Sequence, residues 1–200
     1  PRLPDNPKND RPGVYYQTYA GDWDRLPDFD KLKPFKKGVI DNLSPTIAGL
    51  EDHFGVRHTG FLIIEKSGEY EFSTNSDDGS RFYVGDRLVV NNDGVHGGIT
   101  KKGTISLAPG KHAFTLLFFD KEGGEHNHVS WSGPGFSEKA LGGDFLTQSP
   151  DEHPGIRPSK ANRFIAEFDK VKLGKQLFSE LNCAACHAVE PNGKLHRPEG

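Results

Sequence analysis

The sequence contains no methionine and only two cysteines in 200 residues. No thioether is available as a metal ligand. At most one disulfide can form, which excludes the dense cross-linking of small secreted scaffolds. Long apolar runs are missing too. The longest, Phe61–Ile64 and Ala113–Phe119, are far too short to span a bilayer as a helix. An excess of one charge is also absent. Lys and Arg number 25 against 28 Asp and Glu, a net charge of −3 with a pI of about 6.3, so bulk electrostatics point away from nucleic acid. The short basic runs Lys36-Lys37 and Lys101-Lys102 read as solvated surface. Helix signals are scarce until residue 159, and no Ser-His-Asp arrangement or phosphate-binding loop stands out.

What is present is turn chemistry and short strands. Gly 24 and Pro 14 suit an all-β fold better than a helical one, and 34% hydrophobic residues are enough for one sizeable core. Residues 1–12 read as an extended lead-in. Between 13 and 146, strands are expected at 60–66, 69–74, 81–84, 87–90, 103–107, 111–120 and 127–131. Gly85-Asp86 marks a tight hairpin and Pro109-Gly110 another turn. Tyr70, Phe72 and Thr74 share one face by period-two alternation. The spacing predicts a mainly β, antiparallel sandwich. Residues 147–158 have the composition of a linker, and 159–200 form a separate short segment with helical pattern.

That last segment carries Cys183-Ala184-Ala185-Cys186-His187. Two thiols one helical turn apart, followed at once by an imidazole, fit covalent haem c attachment, with Cys183 and Cys186 forming thioethers and His187 ligating the iron. A redox dithiol, or half of a metal site completed by scattered histidines, are the alternatives. Upstream, Asp169 is placed to N-cap a helix on which Val171, Gly174, Phe178 and Leu181 fall on one face. Residues 168–188 resemble the opening helix and haem motif of class I cytochromes c. The resemblance implies electron transfer with a redox partner, and maturation outside the cytoplasm. That family's usual sixth ligand is a downstream methionine. Only 13 residues follow His187 and none is methionine, so the segment reads as an incomplete cytochrome domain in a piece of a larger exported protein whose signal peptide has been removed. His196 is the one nearby substitute for that ligand.

The β region resembles a different family. Gly13-Val14-Tyr15-Tyr16, Arg57-His58-Thr59-Gly60-Phe61, Ser67-Gly68-Glu69-Tyr70-Glu71-Phe72, Ser76-Asp77-Asp78-Gly79-Ser80-Arg81-Phe82, Leu107-Ala108-Pro109-Gly110 and Trp131-Ser132-Gly133-Pro134-Gly135 occur in the order of the PA14 family. The resemblance implies a β-sandwich with long loops at one end, in modules that bind carbohydrate or serve assembly on surface, periplasmic or secreted proteins. Adjacent carboxylates such as Asp77-Asp78 repel unless a cation neutralises them, and a hard oxygen-seeking ion such as Ca²⁺ suits them. In lectin members the equivalent pair is joined by a cis peptide, and both carboxylates hold Ca²⁺ that a sugar's vicinal hydroxyls complete. The loop Asp120–His128 is expected to supply further oxygens, with Glu122, Glu125 and Asn127 as side-chain candidates beside carbonyls near Gly123 and Gly124. Trp23 is a candidate for stacking on a sugar face and His96 for a neighbouring contact, whereas His126 and His128 read as a solvated pair on one strand face.

The expectation is thus a secreted, periplasmic or cell-surface module that binds a glycan or cell-surface polysaccharide through Ca²⁺, in a larger c-type cytochrome protein. A ligand-free structural module, or an accessory domain of a haem enzyme, is the alternative. Asp77 and Asp78 are too close in the chain to serve as a glycosidase acid and nucleophile, whose carboxyls stand about 5 Å or more apart across a bond.

Overall fold

The computed structural model describes residues 1–151 and, beyond them, one short antiparallel pair, Ala188–Val189 with Leu195–His196. The chain divides into two compact units, Pro1–Ser159 and Lys160–Gly200. The predicted helices at 159–181 and the motif Cys183, Cys186, His187 lie outside the described residues.

The first unit is an antiparallel two-sheet sandwich. Its strands are β1 (Arg11–Pro12), β2 (Val14–Ala20), β3 (Lys36–Ile40), β4 (Phe54–Ile64), β5 (Gly68–Asp77), β6 (Ser80–Val84), β7 (Arg87–Asn92), β8 (Ile99–Leu107), β9 (Gly110–Asp120), β10 (His126–Gly133), β11 (Phe136–Ala140) and β12 (Leu146–Gln148). The larger sheet runs β1-β12-β4-β9-β6-β7, with β2 pairing β4 and β3; the smaller runs β11-β10-β5-β8. Among the described residues the only helical pieces are 3-10 turns at 29–31, 45–48 and 143–145.

Sequence accounts for most of this. β9 is buried along almost its whole length because both faces of the larger sheet are covered, so it reads as a continuous apolar run. β5 faces the core on one side only and alternates, with Tyr70 and Phe72 buried and Glu69 exposed. The β6–β7 hairpin turns at Gly85, whose φ of 62° is the left-handed conformation glycine adopts freely. The inter-sheet core holds Phe72, Phe82, Phe114, Leu116 and Trp131, with Phe72 stacked on Phe82 at 5.0 Å. A satellite cluster of Tyr19, Phe29 and Leu117 packs with the half-buried Trp23 under the loop that follows β2.

The lead-in is docked rather than free. Arg2 is buried, accepts register from a parallel bridge to Leu107, and places its guanidinium 2.9 Å from His112 Nδ1 and 2.8 Å from Asp5. His112 Nε2 lies 2.7 Å from the Ala108 carbonyl. That geometry requires a neutral imidazole that donates from Nε2 and accepts at Nδ1. Burial foremost, then the Arg2 charge, lowers the His112 pKa.

The inward rows change character along the strands. On β9 the core-facing residues run Phe114, Leu116, Phe118, Asp120; on β10 they run Trp131, Val129, Asn127. Across from them β5 runs Phe72, Thr74, Ser76, while β6 and β7 finish in Ser80 and Asn92. One end of the core is aromatic. The other, where the β5–β6, β7–β8 and β9–β10 loops meet, is polar.

Candidate functional site

The polar end is built in two layers. The lower layer is a buried network. Ser76 Oγ lies 2.8 Å from Ser80 Oγ, Ser80 Oγ donates to Thr74 Oγ1 at 3.0 Å, and Asn92 Nδ2 donates to Ser76 Oγ at 3.0 Å and to the Ile99 carbonyl at 2.8 Å. Each hydroxyl or amide is matched, which is what makes burying them tolerable. The network fixes the ends of β5, β6 and β7 and so aims the loop between β5 and β6.

The upper layer is acidic. The Asp77–Asp78 peptide bond is cis. Asp78 is buried, and its two oxygens each accept one backbone N–H: Oδ1 from His96 at 2.9 Å and Oδ2 from Lys121 at 2.8 Å. Asp77 is half-buried and lies against Gly124, where a Cβ would stand 3.2 Å from Asp77 Oδ2. Gly79 is a close-approach position: a Cβ there would meet the Phe119 ring and stand 2.8 Å from the Gly94 nitrogen. The β7–β8 loop can therefore reach Asp78 only because residue 79 has no side chain.

Asp120 completes the acidic layer. It is fully buried at the end of β9, and neither carboxylate oxygen has a partner. Burial first, then the charges of Asp78, Asp52, Glu125 and Asp77, push its pKa up to about 7. Unpartnered buried carboxylates are costly and are found paired, protonated or bound to metal. Among the described residues no three His, Cys, Asp or Glu side chains come together in a group that could hold a metal ion, so an ion at the Asp77–Asp78 pair would need loop carbonyls for most of its shell. The available donors are all oxygen, the set preferred by a hard divalent cation.

The surrounding contacts hold this arrangement. Asp52 Oδ1 accepts the Gly123 N–H at 3.1 Å, the Lys121 carbonyl accepts the His53 N–H at 3.3 Å, and Lys121 Nζ donates to Asp24 at 2.6 Å. Asp93 ties two loops by accepting the Leu26 N–H at 2.8 Å and pairing with Arg81 at 2.8 Å.

The structure places the predicted residues unevenly. Asp78, Glu125 and Asp77 stand near enough for their charges to raise the Asp120 pKa, whereas Glu122 is exposed on the loop. Asn127 is 5% exposed with both side-chain polar atoms unpartnered, and it lines a cleft toward residues 42–46. His96 holds Asp78 through its backbone, while its ring lies between the carbonyls of Gly97 at 2.8 Å and Asn92 at 3.0 Å. Trp23 packs edge-on against Phe29 at 6.2 Å, as part of the satellite cluster. His126 and His128 do share a face, with ring centres 5.7 Å apart, and His126 Nε2 lies 2.8 Å from Asn75 Oδ1. Asp120 and Asp52 were not singled out by sequence reasoning. The available signal for Asp120 was a carboxylate ending the most buried run in the chain.

An antiparallel sandwich with an acidic cis-Asp loop defines the class, and the comparisons agree. The PA14 domain model matches residues 10–143, and the chain belongs to that family. Among solved structures, an anti-sigma factor domain-containing protein superposes with a TM-score of 0.59 at 18% identity, covering 72% of this chain and 51% of that one. A PA14 sugar-binding domain from an RTX adhesin gives 0.56 at 18% identity, covering 69% and 99%. The epithelial adhesin 9 A domain from Candida glabrata, in complex with Galβ1-4GlcNAc, gives 0.56 at 13% identity, covering 72% and 93%. These likenesses show the fold. Separately, cytochrome c oxidase subunit 2 of Bacillus subtilis (strain 168) is 47% identical over 49 residues, 24% of this chain and only 14% of that relative. Among the described residues no helix is long and apolar enough to cross a membrane.

Proposed function

We propose that residues 13–146 form a Ca²⁺-dependent carbohydrate-binding module of a secreted, periplasmic or cell-surface protein. The observation that carries this reading is the fully buried Asp120, without a hydrogen-bond partner and within the field of the Asp77–Asp78 carboxylates. The Asp77–Asp78 pair would hold the ion, together with carbonyls of the loop around Gly123 and Gly124. When bound, Ca²⁺ supplies a centre that takes six to eight oxygens, and a sugar's vicinal hydroxyls would fill positions the protein leaves open. The chain's part is orientation. Asp78 is fixed by two backbone N–H groups, Gly79 admits the β7–β8 loop, and Lys121 ties the acidic loop to Asp24. Sugar-binding domains among the structural neighbours support the carbohydrate reading.

The test is thermal unfolding with and without millimolar Ca²⁺. A ligand bound only by the folded state raises Tm by mass action. We expect a Ca²⁺-dependent rise that is lost in Asp77→Ala/Asp78→Ala. Absence of any rise at saturating Ca²⁺ would leave a structural module without a ligand.

For residues 159–200 we infer the start of a c-type cytochrome domain, with haem c on Cys183 and Cys186 and His187 as iron ligand, serving electron exchange between the parent protein and a redox partner. The five-residue motif and the 49-residue similarity to an oxidase subunit support it. Co-expression with cytochrome c maturation machinery should give a haem stain that survives denaturing gels and disappears in Cys183→Ala/Cys186→Ala. An unstained wild type refutes the assignment for this chain.

A further inference from the structure

At the aromatic end of the sandwich, where β10 turns into β11, a cavity of about 230 Å³ is lined by Trp131, Phe136, Phe145, Lys139, Glu65 and Lys66. Three of these residues bring rings. Phe136 and Phe145 stand edge-on to Trp131, with centroids 4.8 and 5.2 Å from its own and planes inclined at 60° and 66°. Trp131 is backed by the buried Tyr70, stacked on it at 5.8 Å. Rings set at such steep angles make a box rather than a layered stack. The box already holds a cation. Lys139 lies opposite Trp131 in the β10–β11 register, on an edge strand. Its Nζ stands over all three rings, 3.8 Å from the Phe145 centroid, 4.6 Å from that of Phe136 and 5.7 Å from that of Trp131. Phe136 and Phe145 are half-buried and Lys139 is exposed, so the ammonium reaches the rings from the solvent side.

We propose that this box binds a trimethylammonium group, carried by a choline-type zwitterion such as phosphocholine, and that Lys139 occupies it in the ligand's absence. A positive charge over an aromatic face is attracted by the ring quadrupole, most strongly where the cation has shed its water. A lysine ammonium is a compact, strongly hydrated point charge on a flexible stem, so it sheds water reluctantly and leaves the rings easily. A trimethylammonium group carries the same charge behind apolar methyls, which suit ring faces. Glu65, exposed on the cavity lining, supplies a carboxylate of opposite sign. Lys66 lines the same cavity and reaches the β10–β11 turn, where a Cβ on Gly135 would stand 3.1 Å from its Nζ. The Tyr70 hydroxyl fixes the backbone beside these two residues by donating to the Lys66 carbonyl at 2.7 Å. Among the described residues no salt bridge holds Glu65, Lys66 or Lys139. A cation with an anionic group a few bonds away therefore meets the rings and Glu65 with one end and Lys66 with the other. None of these groups belongs to the acidic loop, so the inference goes beyond the glycan-binding reading and does not rest on it.

The test is calorimetric titration of the full chain in EDTA, which keeps a metal at the acidic loop from contributing. Phosphocholine and phosphoethanolamine differ only in the methyl groups on nitrogen. We expect phosphocholine to bind at least about tenfold more tightly. Phe136→Leu keeps an apolar side chain but removes one ring face, and should abolish most of that preference. Lys66→Ala should bring phosphocholine down to the affinity of choline, which has no anionic group. Lys139→Ala empties the box and should raise the affinity for choline about threefold or more, because no internal cation then competes. A lysine that only packs on the rings would not give that gain. Retention on phosphatidylcholine vesicles, reversed by free phosphocholine, would assign the group to a lipid headgroup; binding of free phosphocholine without retention would assign it to a soluble compound. Equal affinities for the two phosphate esters, a preference that survives Phe136→Leu, no gain in choline affinity in Lys139→Ala, or binding of neither ester overturns the proposal. None of those results bears on the calcium reading, which the Ca²⁺-dependent Tm decides.

Discussion

The two ends of the sandwich differ in how their buried groups are matched. At the end near the β10–β11 turn, Trp131 packs on Tyr70 at 5.8 Å, on Phe136 at 4.8 Å and on Phe145 at 5.2 Å, and Lys139 Nζ stands 3.8 Å above the Phe145 ring. Aromatic faces and the ammonium satisfy one another there. At the loop end the same inward rows finish in Asp120 and Asn127, whose four side-chain polar atoms have no partner, against the single Nε1 of Trp131 among the residues named at the aromatic end. One end is arranged for stability. The other holds groups whose burial costs stability, and it has the character of a site that a ligand completes.

The largest effect should come from breaking the aromatic end. Trp131→Ala should cost about 3–5 kcal/mol of unfolding free energy in denaturant titrations, because the cavity it leaves is ringed by neighbours that cannot close over it. The corresponding change at the loop end, Asp77→Ala/Asp78→Ala, should cost far less in Ca²⁺-free buffer. A loss as large as that of Trp131→Ala would erase the contrast between the ends.

Next in size is calcium. At one hundred times its Kd, Ca²⁺ should add about 2.7 kcal/mol to the wild type, read as a rise in Tm. The rise should be missing in Asp120→Ala if Asp120 shares the ion.

The pH dependence sharpens the contrast further. Asp120 has its folded pKa raised from 3.8 to about 7. The folded state therefore binds more protons than the unfolded state between those values, and this group makes stability fall as pH rises through that window. In Ca²⁺-free buffer the Tm advantage of Asp120→Asn over wild type should grow from pH 4 to pH 7 and level off above. His58, fully buried, acts in the opposite direction. Burial lowers its pKa from 6.5 to about 4, so stability is lost as pH falls through that interval. The comparison of Asp120→Asn with wild type cancels the His58 contribution. A constant offset across the range would show that Asp120 does not titrate in the fold.

The smallest effect should be Lys139→Ala. Its ammonium contacts rings at an exposed edge, and about 0.5–1 kcal/mol is expected by the same titration. A much larger loss would mean that Lys139 seals the aromatic end.

Much of the sandwich was legible because its signals are local. The buried run Ala113–Phe119, the alternation around Tyr70 and Phe72, and the turns at Gly85-Asp86 and Pro109-Gly110 each rest on residues a few positions apart. β4 begins at Phe54 rather than near residue 60, because Gly55, Arg57 and His58 interrupt the apolar pattern that would have marked it. Residues 1–10 read as a polar tether, yet Arg2 and Asp5 are held by His112 and by the Ala113 N–H, more than 100 residues away. At the site, the Asp77-Asp78 pair was visible as a dipeptide. Glu122 and Asn127 were grouped with it by loop membership, which does not specify which side of a strand a side chain leaves.

The sequence by itself determined the strands, the turns and the adjacent acidic pair, since alternation, glycine conformation and neighbouring charge all act over a few bonds. Only the tertiary structure decided that Asp120 joins that pair, that Asn127 lines a separate cleft, and that Trp23 packs against Phe29. Those outcomes depend on which strand ends meet across the sandwich. Burial and the summed field of distant carboxylates exist only once the sheets have packed.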